Sequence, residues 1–216
     1  MKRSQAEILR EYGPFDDVAA VHGVTFDGRH VWFASGDRLN ALDPEDGKTV
    51  RTIPVAADAG TAFDGRHLFQ IAEDRIHKVD PGTGEVLATI PAPGGGGDSG
   101  LAWAEGTLWV GQYRQRRIHQ VDPQTGEVLR TIEANRFVTG VTFVEGELWY
   151  GTWEGEDSDV RRADPRTGEV REAIDMPKGM MVSGLESDGA DRLFCGGGES
   201  GVLRAIRRPR RAAAAT

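Results

Sequence analysis

The stretch DPQTGEVLRTI, Asp122 to Ile132, decides the fold, because its phrase stands in three further places. It reads DPEDGKTVRTI from Asp43, DPGTGEVLATI from Asp80 and DPRTGEVREAI from Asp164, at starts 37, 42 and 42 residues apart. A second phrase precedes each copy: GVTFDGRHVWF from Gly23, GTAFDGRHLFQ from Gly60, GLAWAEGTLWV from Gly100 and GVTFVEGELWY from Gly140. A weaker fifth copy, GLESDGADRLF, begins at Gly184 and runs on into GVLRAIRRP. The chain is therefore five units of roughly 40 residues, a period belonging to repeat architectures.

Each unit resolves into four short strands, A to D. In the third they are Gly100–Ala104, Thr107–Tyr113, Arg117–Val121 and Glu127–Ile132. Asp-Gly or Glu-Gly between apolar residues marks the A–B hairpin. In Asp-Pro-x-Thr-Gly, Pro presets φ, Asp bonds its own turn and Gly takes the left-handed position. Four strands in about 40 residues, with no helical period, predict an all-β, five-bladed β-propeller with four antiparallel strands per blade. The blades cover about 23–55, 60–92, 100–134, 140–176 and 184–209 of a single domain over 1–210. Unit five lacks strand D, while Glu7–Tyr12 (EILREY) matches EVLRTI in residue type. The N-terminal strand is thus expected to close blade five, leaving no unpaired radial edge. The tail at 211–216 is expected to be disordered.

Composition narrows the partners. Lys plus Arg number 26 against 34 Asp plus Glu, a net charge of −8, which opposes nucleic-acid binding. No apolar run is long enough for a membrane helix, and MKRSQAEILREYG has no apolar leader core. Cys195 is the only cysteine, so there is no internal disulfide. A cytoplasmic monomer acting on a small molecule is the expectation.

The topology divides the ring into two ends. The A–B and C–D turns share one end and are near-identical from blade to blade. Four of the five histidines belong to these repeated phrases and read as structural: His30, His67, His77 and His119. The B–C and D–A loops share the other end, where the copies disagree, and variable loops on a rigid scaffold carry function. The residues before the strand-A glycines are His22, Ala59, Ser99, Thr139 and Ser183, expected to ring the axial mouth. His22 is the candidate proton-transfer group or metal ligand, with Asp58, Asp98 or Glu154 as its orienter or as further ligands. A cavity-mouth histidine bonded to a backbone carbonyl is the plain alternative for His22, and a turn cap for the two aspartates. Candidate substrate contacts are Tyr113, Arg114, Arg136, Trp153, Ser99, Thr139, Ser183 and Glu199. One divalent cation in the axial pocket is the only cofactor considered. Cys195 reads as a buried thiol, and Gly94–Gly97 and Gly196–Gly198 as loops.

DPxTGEV after the strand-A glycine, Asp-Gly and Leu-Trp pattern resembles the five-bladed glutamine cyclotransferase-like propellers and, more loosely, the virginiamycin B lyase-like ones. The resemblance spans nearly the whole chain. GELWYGTWEGEDSDVRRADP, from Gly146, is similar to a cyclotransferase segment, which implies Trp153 as a pocket wall. That family carries Gln-Gly and Glu-Gly at strand-A starts, whereas this chain has His22, Ala59, Ser99, Thr139 and Ser183 there. The resemblance thus implies the scaffold rather than glutamine cyclisation itself. Two functions follow: a hydrolase, lyase or cyclase working in the axial pocket, or a non-catalytic propeller binding a ligand or protein partner on the same face.

Overall fold

The computed structural model describes residues 1–209, which hold strands and turns and no helix, so no described helix is long and apolar enough to cross a membrane. The expected tail at 211–216 lies outside the described residues. Two strands, β1 (Lys2–Gln5) and β2 (Ile8–Tyr12), precede the repeats. Blade one is β3 (Val24–Phe26), β4 (Val31–Ala34), β5 (Leu39–Leu42) and β6 (Thr49–Ile53). Blade two is β7 (Thr61–Phe63), β8 (Leu68–Ala72), β9 (Arg75–Val79) and β10 (Val86–Pro91). Blade three is β11 (Asp98–Ala104), β12 (Thr107–Gln112), β13 (Arg117–Val121) and β14 (Val128–Glu133). Blade four is β15 (Phe137–Val144), β16 (Glu147–Glu154), β17 (Asp157–Ala163) and β18 (Val170–Asp175). Blade five is β19 (Leu185–Ser187), β20 (Arg192–Gly196) and β21 (Leu203–Arg207), completed by β2.

The expected closure is present: β2 runs antiparallel to β21, from Ile8 opposite Ile206 to Tyr12 opposite Leu203. Tyr12 is buried, and its hydroxyl donates to Pro44 O of blade one at 2.9 Å, tying the last blade to the first. One strand lies outside the repeat pattern. β1 pairs parallel with β18 as a fifth strand on blade four. The cause is electrostatic: the Arg3 guanidinium grips Asp175 at 2.7–3.0 Å and reaches buried Asp159 at 3.2 Å.

There is no single central core. Five apolar clusters fill the five seams between neighbouring blades. Trp109 and Trp149 of the B strands lie fully buried in two of them, while the D strands expose Val50, Leu87 and Leu129 at the perimeter. At each Asp-Pro turn the aspartate accepts backbone N–H groups, as Asp122 does from Gln124 at 2.8 Å and Thr125 at 2.9 Å. Those bonds hold Asp80, Asp122 and Asp164 below the usual carboxylate range.

The inner wall is set by Gly23, Gly60, Gly100, Gly140 and Gly184. A Cβ on any of them would sit 2.3–2.6 Å from backbone of the next blade, as Gly60 would from Leu101 N at 2.4 Å. The five inner strands therefore abut main chain to main chain, and the residues just before these glycines stand at the rim.

Candidate functional site

The rim carries a cavity of about 220 Å³ lined by His22, Asp58, Asp98, Ser99, Tyr113 and Thr139, with Ala59, Met181 and Ser183. All five pre-glycine residues therefore meet there with two aspartates and a tyrosine from neighbouring loops. A groove of about 460 Å³ shares His22, Met181 and Ser183 with it and adds Trp153, Gly197, Gly198, Glu199 and Ser200.

His22 enters from the D–A loop before β3. Its amide donates to Ala34 O at 2.9 Å, and the bridge between Val21 and Gly198 pins the preceding residue to the blade-five loop. The imidazole itself has no hydrogen-bond or ion-pair partner among the described residues. The other four histidines all have one: His30 lies 3.5 Å from Asp27, His67 3.4 Å from Asp64, His77 2.9 Å from Thr89 and His119 2.8 Å from Thr131. Burial lowers the His22 pKa below the ordinary histidine value, and the Asp58 charge partly offsets this. The ring is thus neutral at pH 7, able to accept a proton with a carboxylate near enough to favour the imidazolium that results.

The two aspartates are each half committed. Both oxygens of exposed Asp58 accept from Glu73 N at 3.2 Å, across the blade-two B–C turn. One oxygen of buried Asp98 accepts from Gly94 N at 2.8 Å and caps the Gly94–Gly97 loop. Its other oxygen is buried without a hydrogen-bond partner, although the Gln112 amide lies alongside. Burial raises the Asp98 pKa, only partly countered by the Gly94 and Gln112 donors.

Two of the rim hydroxyls are bonded to main-chain carbonyls. Ser99 Oγ donates to Gly111 O of its own blade at 3.1 Å or to Val138 O of the next blade at 2.8 Å, and Ser183 Oγ donates to Val21 O of the next blade at 2.5 Å. Thr139 Oγ1 is buried without a partner beside Gly151, where a Cβ would come within 2.7 Å of it. The Ser99 and Ser183 hydroxyls act first as stitches across the seams. Tyr113 is pinned as a wall by stacking on Phe137, with ring centroids 4.8 Å apart, and the Arg116 guanidinium also lies over Phe137.

Three sequence candidates stand outside both the cavity and the groove. Glu154 pairs with Arg116 at 2.8 Å and Arg136 at 3.7 Å, and Arg136 reaches Asp159 at 3.5 Å. Glu154 and Arg136 thus belong to a salt-bridge cluster beneath the β1 strap rather than to the His22 cavity. Arg114 is exposed and lines neither cavity nor groove. Among the described residues no group of three or more His, Cys, Asp or Glu is placed to hold a metal ion. The buried Cys195 thiol has its pKa pushed up to about 12 by burial, so it is no nucleophile.

Sequence reasoning missed Glu186. Its carboxyl, on β19, accepts Thr25 Oγ1 of blade one at 2.9 Å, the Thr142 hydroxyl of blade four, and Ser187 N at 2.8 Å. Burial raises its pKa, and these three donors only partly offset that. The equivalent positions hold Thr25, Ala62, Ala102 and Thr142, so one acid among small residues was the available signal.

The family model described as outer membrane protein assembly factor BamB matches residues 72–190, just over half of the chain. The chain belongs to that family. This BamB-family propeller is also similar in structure to glutaminyl cyclase from Myxococcus xanthus, with a TM-score of 0.79 and 21% identity over 95% of this chain and 97% of that one. Hydrazine synthase from Kuenenia stuttgartiensis matches with a TM-score of 0.53 and 20% identity, over 83% of this chain and 56% of that one. At these identities the two structures show the shared propeller fold. No curated protein matches the sequence.

Proposed function

We propose that this propeller is a small-molecule enzyme of the hydrolase, lyase or cyclase type, with its site in the axial cavity and His22 as the proton-transfer group. One observation carries the reading: His22 is the single histidine whose ring has no partner among the described residues, and it faces the axial cavity. Neutral imidazole takes a proton from a substrate heteroatom or carbon and returns it to the leaving or closing group. Asp58 favours the imidazolium formed in between, and Tyr113 bounds the cavity as a fixed wall. The likeness to glutaminyl cyclase supports the scaffold for such chemistry. The His22 position and the half-committed aspartates point to a reaction other than glutamine cyclisation.

The second reading is a non-catalytic binding propeller, in keeping with an assembly-factor family. It is favoured by the aspartates themselves, which hydrogen-bond loop amides and none of which bonds the His22 ring. A panel of ester, lactone, amide and β-elimination substrates separates the two. On the enzymatic reading at least one is turned over, and His22→Ala abolishes that turnover without changing the melting temperature. The rate also falls as pH drops through the lowered His22 pKa, because the base is then protonated. Turnover that survives His22→Ala, or none across the panel, refutes the enzymatic reading.

A further inference from the structure

Trp153 repeats, for tryptophan, what His22 shows for histidine. Of the chain's five tryptophans, four are engaged. The Trp32 indole donates to Asp27 at 2.7 Å, Trp103 stacks on Phe69, Trp109 packs on Phe143 under Arg130, and Trp149 lies under Arg162. Trp153 has no ring, cation or hydrogen-bond partner for its indole among the described residues. It sits half-buried at the end of β16, on the groove that shares His22, Met181 and Ser183 with the axial cavity.

Met181 stands where the two spaces meet and lines both. It seats directly on Gly198, where a Cβ would come within 2.7 Å of its Sδ. An unbranched thioether side chain adapts to whatever lies against it, so the partition between cavity and groove is a soft one. The lining charges have one sign. Neither space is lined by any Lys or Arg, while Asp58, Asp98 and Glu199 contribute carboxyl groups. An anionic ligand would meet no counter-charge there, whereas an ammonium would meet the exposed carboxylate of Asp58 and the neutral ring of His22 on the cavity lining.

Resting on the axial-cavity reading above, we infer that cavity and groove form one bipartite site for an arylalkylamine-like ligand. Its ammonium end sits in the axial cavity and its flat apolar end lies on Trp153 across Met181. The division of labour is chemical: carboxyl groups and His22 hold the head, and an aromatic face with a glycine-lined floor holds the ring.

The test uses the full chain and three probes: 2-phenylethylamine, ethylamine, which lacks the arm, and 3-phenylpropionate, which has the arm and the opposite charge. Affinity is read by calorimetry and occupancy of the axial cavity by the ring-proton shifts of His22. The expected result is that 2-phenylethylamine shifts His22 and binds about tenfold tighter than ethylamine, the size of one aromatic stacking contact with its buried area. Trp153→Ala removes that advantage and Trp153→Phe, which keeps an aromatic face and guards against misfolding, retains most of it. The anion binds at least about tenfold more weakly than the arylamine. Equal affinity for the two amines, no loss in Trp153→Ala, no arylamine binding at millimolar concentration, or equal binding of the anion would each overturn the inference. If ethylamine shifts His22 and the arm adds nothing, the axial site stands and the bipartite site falls. If the arylamine binds through Trp153 and leaves His22 unmoved, it is the axial reading that falls.

Discussion

The two ends of the ring are built from the same strands and treat their polar groups oppositely. At the turn end, Asp27, Asp64, Asp80, Asp122 and Asp164 each accept two backbone N–H groups, and His30 and His67 sit beside an aspartate. At the loop end the His22 imidazole and the Trp153 indole have no hydrogen-bond partner among the described residues, and one buried oxygen of Asp98 accepts no hydrogen bond there. Repetition of a turn repeats its internal hydrogen bonds, so the turn aspartates are satisfied in the same way from blade to blade. The unpaired imidazole and indole lie where each loop differs from the next, and that is where a ligand has something to add.

The most damaging way to test this contrast is to remove the ring that both ends share. Deleting residues 1–12 takes away β1 and β2, exposes the outer edge of β21 and removes Tyr12 from the seam to blade one. Aggregation or a fall of well over 10 °C in melting temperature is expected, a loss of several kcal/mol for a domain of this size. A truncated chain that melts with the full-length one would show that the first twelve residues are dispensable.

Glycines sharpen the comparison at the next level down. Gly60→Ala pushes a methyl group to 2.4 Å from Leu101 N on the neighbouring blade and should cost about 3 kcal/mol by denaturant titration. Gly106→Ala at the turn end meets nothing within 4 Å and is strained only by its φ of +75°, so about 1 kcal/mol is expected. Equal costs would mean that the blades do not bear on one another at the axis.

Glu186 gives a pH signature. Its folded pKa is raised above the unfolded value, so its neutral form is favoured in the folded state. Its contribution is fully present below the unfolded pKa and is lost as pH climbs through the folded one. Glu186→Gln should therefore melt with wild type in acid and progressively above it as pH rises, as read from melting temperatures between pH 4 and 8, roughly the span of carboxylate titration. A difference that does not change with pH would show the carboxyl to be ionised throughout.

The smallest stability effect is expected at the loop end. His22→Ala should change stability by no more than about 0.5 kcal/mol, since the imidazole makes no hydrogen bond or ion pair among the described residues. A larger loss would turn His22 into a structural residue and remove the contrast between the two ends.

The blades, their count and the closing strand were legible because Asp-Pro-x-Thr-Gly and the strand-A glycine repeat in register and EILREY matches the missing strand. The location of the cavity followed from the same topology, since it only required knowing which loops share an end. β1 was not legible: KRSQ has no counterpart in any repeat and is held by Arg3 reaching carboxylates more than 150 residues away. The directions of the Ser99 and Ser183 hydroxyls were hidden for a related reason. Each has an acceptor carbonyl on the following blade, and a choice between lumen and seam is made by packing, not by local sequence. Glu154 and Arg136 read as pocket residues by loop position, but their mutual pairing near Asp159 depends on a distance that sequence does not encode.

The glycine ring has a consequence for how this scaffold can change. Because adjacent inner strands touch through main-chain atoms, the diameter of the central opening is a property of the polypeptide backbone itself, as invariant as the gauge of a rail. Side chains at His22, Ala59, Ser99, Thr139 and Ser183 can be exchanged without widening or narrowing it. The protein thus presents a socket of constant bore with interchangeable contacts, in which the cross-section admitted and the chemistry performed are specified by separate residues.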